Sequence, residues 1–128
     1  MKFLLDTCTF LWLNLNSRKV PPAIMKLCAD PASRLFLSVV SSWEIGLKVS
    51  LGRLSLPLPP AVYIPARRAA SQIEALPLSE EAVLQLGKLP RLHEDPFDRM
   101  LVCQSIAHGM TLLTPDSLIS QYPVRVVW

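Results

Sequence analysis

The chain has 128 residues, the length of one domain, and 51% of them are hydrophobic while 18% are charged, which excludes a disordered polypeptide. Thirteen Lys and Arg residues against ten Asp and Glu residues leave a formal charge of +3, so an anionic partner is permitted but not required. The three cysteines, Cys8, Cys28 and Cys103, form neither a CxxC pair nor an even disulfide set. We interpret them as free thiols in a reducing compartment.

The same sequence argues against a membrane-spanning or exported protein. No uncharged apolar run approaches the roughly 20 residues that a spanning helix needs. The apolar N-terminus contains Asp6, whose carboxylate costs roughly 2.5–3.5 kcal/mol on membrane insertion, and no small-residue cleavage site follows it. We therefore expect a soluble, cytoplasmic protein without a membrane partner.

The first half of the chain predicts two short strands and three helices. Residues 3–5 form an apolar run that is too short for a helix, and the prolines at 21 and 22 are typical of a first helical turn. Gly52 follows the third helix, as expected of a left-handed stop. The predicted elements are a strand at 3–5, a helix at 7–15, a helix from 21–22 to 30–31, a strand at 34–39 and a helix at 41–51.

The second half predicts a similar alternation after a proline-rich loop at 53–65. Ser79 begins a helix with the sequence SEEA, and Pro96 opens a long helix that ends at Gly109. The predicted elements are a helix at 61–71, a weak strand at 73–78, helices at 79–89 and 96–108, a strand at 111–113, a short helix from 116 and a strand at 124–128.

Short strands alternating with helices predict an α/β protein built around a mainly parallel sheet. The absence of repeats and of a linker favours a single domain spanning residues 1–128. Because ligands of such folds bind outside the carboxyl ends of the strands, the residues that follow the strands are the candidates for a functional site.

Four acidic residues are predicted to lie at that edge. Asp6 directly follows the first strand, and Asp116 follows a later one in LLTPD. Glu44 and Asp98 are each expected in the first turn of a helix, in SSWEI and DPFDRM. A carboxylate that ends an apolar strand needs a partner, so Asp6 is the strongest single candidate.

Taken one at a time, the other acids have simpler structural explanations. Ser41 and Glu44 fit a capping box. Asp95 fits the N-cap of a helix that has proline at its first position and Asp98 at the positive end of its dipole. Asp116 can cap the short helix that it begins.

Taken together, the acids indicate a metal site. Carboxylates within a few ångströms repel one another and raise each other's pKa, and a divalent cation removes that penalty. All-oxygen ligands suit Mg²⁺ or Mn²⁺, whereas zinc favours closely spaced Cys and His, which are scattered in this chain. We interpret His93 as a loop or capping residue. Acid-held ions of this kind commonly serve attack by water on phosphorus.

The sequence resembles the PIN-domain ribonucleases, most of all the VapC-type toxins of bacterial toxin–antitoxin pairs, in the segments LLDTCTFLW, SSWEI, HEDPFDRML and LLTPD. The likeness extends over essentially the whole chain. It implies a PIN-like α/β/α sandwich and a Mg²⁺- or Mn²⁺-dependent endoribonuclease. The catalytic and metal-binding residues that it implies are Asp6, Glu44, Asp98 and Asp116.

Other residues of these segments are given supporting roles or depart from the family. Thr114 resembles a polar residue that supports the site, and Asp95 assists or, by preference, caps its helix. We interpret Arg99 as a member of a structural ion pair in preference to a phosphate contact. Cys8 stands where related sequences commonly carry histidine, which makes it a position open to oxidation or to soft metals.

The resemblance also implies partners: an RNA substrate, a cognate antitoxin that blocks the acidic site, and a second copy in a homodimer. The alternatives are a PIN-domain nuclease of RNA processing outside a toxin pair and a catalytically silent PIN-fold binding module. A signalling receiver domain is disfavoured, because neither the strand at 35–39 nor that at 111–113 is followed by the lysine it needs.

Overall fold

The computed structural model describes all 128 residues. Its centre is a five-stranded sheet with the strand order β3-β2-β1-β4-β5, in which every neighbouring pair is parallel. The strands are β1 (Lys2–Leu5), β2 (Arg34–Ser38), β3 (Ile73–Leu76), β4 (Thr111–Leu113) and β5 (Val126–Val127). The predicted α/β class is confirmed, and the sheet is wholly parallel.

Six α-helices connect and cover these strands: α1 (Thr7–Leu15), α2 (Pro22–Ala29), α3 (Val39–Ser50), α4 (Pro60–Ala70), α5 (Glu80–Leu84) and α6 (Pro96–His108). Three short 3₁₀ helices lie at Ser17–Lys19, Gln85–Lys88 and Ile119–Gln121. No helix has both the length and the apolar character that crossing a bilayer requires.

Two apolar cores lie on the two faces of the sheet, because successive strand residues point to opposite sides. Phe3 and Leu5 of β1 face one core, together with residues of α1 and α4. Leu4 faces the other core, which is closed by α6. Helix α3 contributes to both, so it is held firmly at the boundary between the layers.

Helix α3 begins two residues earlier than predicted, and this changes the role of Glu44. Its N-cap is Ser38, whose hydroxyl accepts a hydrogen bond from the Val40 amide at 3.0 Å. The predicted capping box of Ser41 and Glu44 is therefore wrong, because β2 leads directly into the helix and both residues lie inside it. Glu44 occupies the second turn, where its carboxylate is free to reach the sheet edge.

The C-terminal half is less regular than predicted. The helix expected at 79–89 is α-helical only over Glu80–Leu84 and continues as a 3₁₀ helix. Asp116 caps a turn instead of a helix: its Oδ1 accepts from the Leu118 amide at 2.9 Å. The last strand is limited to Val126–Val127, since β4, its only partner in the sheet, is itself three residues long.

Candidate functional site

One cleft at the carboxyl edge of the sheet brings the four predicted acids together. Asp6 directly follows β1, and Asp116 lies three residues beyond β4. Helices α3 and α6 contribute Glu44 and Asp98. All four line a cleft of about 420 Å³, and Asp95 lines it as well. The convergence expected from the sequence is present, and the catalytic role of these residues stays a prediction.

Asp6 is held in place through both carboxylate oxygens. Oδ1 caps α1 by accepting from the Thr9 amide at 2.7 Å, and Oδ2 accepts from the Thr114 hydroxyl at 2.5 Å. The side chain is buried, and burial raises the pKa of Asp6 above its ordinary value, against the hydrogen bonds from Thr114 and Thr9 that lower it. Thr114 therefore orients the strand-end acid.

Glu44 is also held through both oxygens. Oε1 accepts from the Thr7 hydroxyl at 2.6 Å, and Thr7 Oγ1 lies 2.9 Å from the Ser41 hydroxyl. Oε2 accepts from the Lys48 ammonium at 2.6 Å, one helical turn further along α3. The predicted cap residue Ser41 thus supports the site from inside the helix.

Asp98 is the least compensated carboxylate of the cleft. It lies in the first turn of α6, where Asp95 is the N-cap and accepts from the Phe97 amide at 2.8 Å and the Asp98 amide at 3.1 Å. The capping role predicted for Asp95 is therefore observed. Burial, then the charges of Asp95 and Glu44, raise the pKa of Asp98 to about 7.

His93 joins two of the acids, which the sequence interpretation missed. Its Nε2 lies 2.9 Å from Asp116 Oδ2 and 3.2 Å from Asp98 Oδ2. Its Nδ1 accepts from the Asp95 amide at 3.1 Å. In a neutral ring this places the proton on Nε2, which therefore donates toward the two carboxylates. The available signal was a histidine close before a helix start crowded with acids, in HEDPFD.

The loop that carries His93 is fixed to the second core. Tyr122 is buried, and its hydroxyl oxygen accepts from the His93 amide at 2.8 Å and from the Leu92 amide at 3.3 Å. These hydrogen bonds hold the backbone of the loop just before the cleft residues Asp95 and Asp98. The carboxylates of Asp98 and Asp116 place oxygen atoms within 4.8 Å of each other and of the His93 imidazole, so both carboxylates can reach one cation.

The family model of the PIN domain matches residues 3–124. The chain belongs to the PIN domain family. A search of the curated proteins finds no significant match. The family assignment agrees with the position of the acids at the carboxyl edge of a parallel sheet.

Solved structures share the fold of this PIN domain at low sequence identity. VapBC2 from Rickettsia felis, bound to a promoter DNA fragment, has a TM-score of 0.74 at 16% identity, covering 99% of this chain and 98% of that one. DNA-bound VapBC from Salmonella typhimurium has a TM-score of 0.70 at 19% identity, covering 99% of this chain and 97% of that one. FitAcB from Neisseria gonorrhoeae has a TM-score of 0.62 at 17% identity, covering 98% of this chain and 96% of that one.

Arg99 does not have the role expected of it. It forms no ion pair, and its Nε is buried without a hydrogen-bond partner, so the interpretation as a structural ion pair is wrong. The neighbouring carboxylates of Asp95 and Asp98 are instead occupied by backbone amides and by His93. Arg99 does not line the cleft of this PIN domain either.

Cys8, which stands in the first motif, lines the same cleft. Burial and the nearby charge of Asp6 raise the pKa of the Cys8 thiol to about 11. With this pKa, Cys8 stays a neutral thiol at neutral pH. The thiolate is the form that reacts with oxidants and binds metals. The expectation of a soft-metal or oxidation-prone position is therefore not supported by its surroundings in this PIN domain.

Proposed function

We propose that this PIN domain is a divalent-metal-dependent endoribonuclease and the toxin of a toxin–antitoxin pair. The observation that carries the proposal is the convergence of Asp6, Glu44, Asp98 and Asp116 on one cleft. Like charges packed this closely oppose folding, as the raised pKa of Asp98 indicates. A protein that retains such a cluster gains stability when a cation binds to it.

The donor set of the cleft fits Mg²⁺ or Mn²⁺. Carboxylate oxygens dominate it, and these are the ligands that hard divalent cations prefer. Asp6, Glu44, Asp98 and Asp116 all line the cleft and would hold the ion, and the ligand atoms of Asp98 and Asp116 lie within 4.8 Å of each other. When bound there, such an ion activates water and stabilises the negative charge that develops at phosphorus during hydrolysis.

The chain's own residues pre-orient these carboxylates. Thr114 fixes Asp6, Thr7 fixes Glu44, and the Nε2 proton of His93 is shared between Asp98 and Asp116. His93 is therefore assigned an orienting role, because its Nδ1 is already occupied by a backbone amide. Carboxylates that are held in this way need little rearrangement when a cation and an RNA phosphate enter.

Three further expectations concern partners. The structural neighbours include VapBC assemblies and a toxin–antitoxin complex from Klebsiella pneumoniae, which supports a cognate antitoxin for this chain. An acidic cleft suits an inhibitor with a basic side chain. A homodimer is also proposed, and it accords with the apolar side chains that α3 leaves exposed, above all Trp43 at 64%.

The deciding experiment is cleavage of labelled total RNA by the purified, partner-free protein with Mg²⁺ or Mn²⁺. We expect EDTA to stop cleavage and Asp98→Asn to slow it by about 100-fold or more, the scale seen when one stabilising group is removed from an active site. The matched control is Asp30→Asn, an exposed aspartate in the turn after α2, which is expected to cleave normally.

Each contrary result has a definite meaning. Activity that survives Asp98→Asn would point to a contaminant or to a different site. No cleavage by folded, metal-loaded protein would favour the silent binding module. Growth arrest on expression, relieved by a small protein encoded next to this chain, would separate the toxin from a nuclease of RNA processing.

A further inference from the structure

The cleft contains a single basic side chain. Its carboxylates belong to Asp6, Glu44, Asp95, Asp98 and Asp116. Among the residues that line the cleft, only Lys48 carries a positive charge. Arg67, for example, does not line the cleft, and its Nε donates to Asn14 Oδ1 at 2.7 Å.

Lys48 is held at the cleft wall by Glu44. Its Nζ donates to Glu44 Oε2 at 2.6 Å, and the second Glu44 oxygen is fixed by Thr7. The Glu44 side chain is 5% exposed, whereas that of Lys48 is 46% exposed. An ammonium group has three N–H donors, so the bond to Glu44 leaves two of them for a molecule that enters the cleft.

A simple helical ion pair is the alternative explanation. Exposed pairs four residues apart stabilise a helix by only about 0.3–0.5 kcal/mol, and such pairs normally lie on a solvated face. Glu44, however, is buried against the sheet edge and faces the same cleft as Asp98. The pair therefore places the Lys48 ammonium beside the acids of the cleft, and its role is not limited to stabilising the helix.

We propose that Lys48 is a substrate-contacting residue, whose ammonium, anchored by Glu44, donates to a non-bridging phosphate oxygen of the RNA strand. This inference rests on the proposed nuclease function. A phosphate that enters this cleft meets a group of carboxylates, whose negative charge repels it. Lys48 is the group of this chain positioned to offset this repulsion.

The test compares Lys48→Met and Lys48→Arg with Arg34→Met as the matched control. Arg34 also forms an ion pair with a glutamate, Glu74 at 3.0 Å, but at the amino ends of the strands. Binding of a fluorescein-labelled single-stranded RNA 12-mer is measured by anisotropy over a NaCl series, in the Asp98→Asn background with Mg²⁺ to prevent turnover. Steady-state KM and kcat are measured with Asp98 intact.

Lys48→Met is expected to weaken RNA binding and raise KM about tenfold, and to lower the slope of log Kd against log salt concentration by about 0.7, the value for one contact to a single strand. Lys48→Arg should restore most of the affinity, and Arg34→Met should change neither quantity. If Lys48→Met does not fold by circular dichroism, Lys48→Gln takes its place.

Two results would overturn the inference in different ways. If Lys48→Met binds RNA as tightly as Arg34→Met and with an unchanged salt slope, Lys48 only forms a structural ion pair with Glu44. Cleavage by the unsubstituted protein would then leave the nuclease proposal intact. If the unsubstituted protein neither binds nor cleaves RNA, the nuclease proposal fails and the role of Lys48 fails with it.

Discussion

At the amino edge of the sheet, charges of opposite sign pair in solvent, whereas at the carboxyl edge five acidic side chains share a cleft with one lysine. Arg34 of β2 and Glu74 of β3 form a bidentate pair at 3.0 and 3.1 Å, with side chains 54% and 49% exposed. At the carboxyl edge of the sheet, Asp6 after β1 and Glu44 in α3 are each 4% exposed and face further acids.

The difference separates what folding favours from what a function requires. The hydrogen bond from Arg34 lowers the pKa of Glu74, so the fold favours the ionised form of this carboxyl. At the cleft, burial and neighbouring charge raise the pKa of Asp98 to about 7, so ionisation of Asp98 opposes folding. Perturbed carboxylates of this kind are concentrated at functional sites, and removing them tests that assignment.

The largest effect on stability is expected from Thr114→Val. The buried Asp6 would lose the hydroxyl that donates to its Oδ2 at 2.5 Å, and hydrogen bonds to charged groups contribute about 1.5–3 kcal/mol. Urea unfolding should show a loss of that size, while Thr114→Ser should retain most of the stability. Equal losses in both variants would mean that the methyl group matters and the hydroxyl does not.

A smaller effect of opposite sign is expected from Asp98→Asn in EDTA. In the folded protein Asp98 keeps its proton up to about pH 7, whereas its ordinary pKa is 3.8, so the free energy of unfolding falls as pH rises between these values. The uncharged side chain of Asp98→Asn does not ionise, so this variant avoids the fall in the free energy of unfolding. Its Tm should exceed that of the unsubstituted protein by a few degrees at pH 8 and by less at pH 5.

Mg²⁺ provides the control for that comparison. It should raise the Tm of the unsubstituted protein at pH 8 more than that of Asp98→Asn. A lower Tm for Asp98→Asn in EDTA would show that the carboxylate stabilises the metal-free fold, and the contrast between the two edges would then be lost.

The smallest effect is expected at the amino edge. A double-mutant cycle with Arg34→Met and Glu74→Gln should give a small coupling free energy that decreases with added salt, as is usual for exposed ion pairs. Chemical unfolding at low and high NaCl measures it. A coupling free energy as large as the loss in Thr114→Val, and insensitive to salt, would contradict the solvated character of this edge.

Much of the fold could be predicted from local sequence. The predicted helix at 7–15 and the strand at 111–113 have the observed bounds, and the long helix has its predicted N-cap at Asp95 and its end at Gly109, which adopts a φ of 63°. The failures lie where long-range packing decides. Ser38 is both the last residue of β2 and the N-cap of α3, whereas the local sequence pattern predicts the N-cap at Ser41.

The site was predicted in outline and not in its supporting contacts. Asp6 and Asp116 follow strands and Asp98 lies in the first turn of α6, as the chain order indicates, whereas Glu44 lies in the second turn of α3. Their partners come from elsewhere: the Thr114 hydroxyl reaches Asp6 across 108 positions, and His93 reaches Asp116 across 23. Lys48 is a local partner, four residues after Glu44 in α3, but the sequence did not single it out, because this spacing alone does not show that Glu44 faces a cleft.

The sequence by itself determined the alternation of strands and helices, hence a parallel sheet with acids at its carboxyl edge, because hydrophobic periodicity and capping are local properties. Only the tertiary structure decided which side chains meet there. It determined the strand order with β1 at the centre and the raised pKa of Asp98. It also determined which His93 nitrogen carries the proton in a neutral ring, and that Lys48 is the one basic side chain of the cleft. These depend on distances between segments far apart in the chain, which local patterns do not encode.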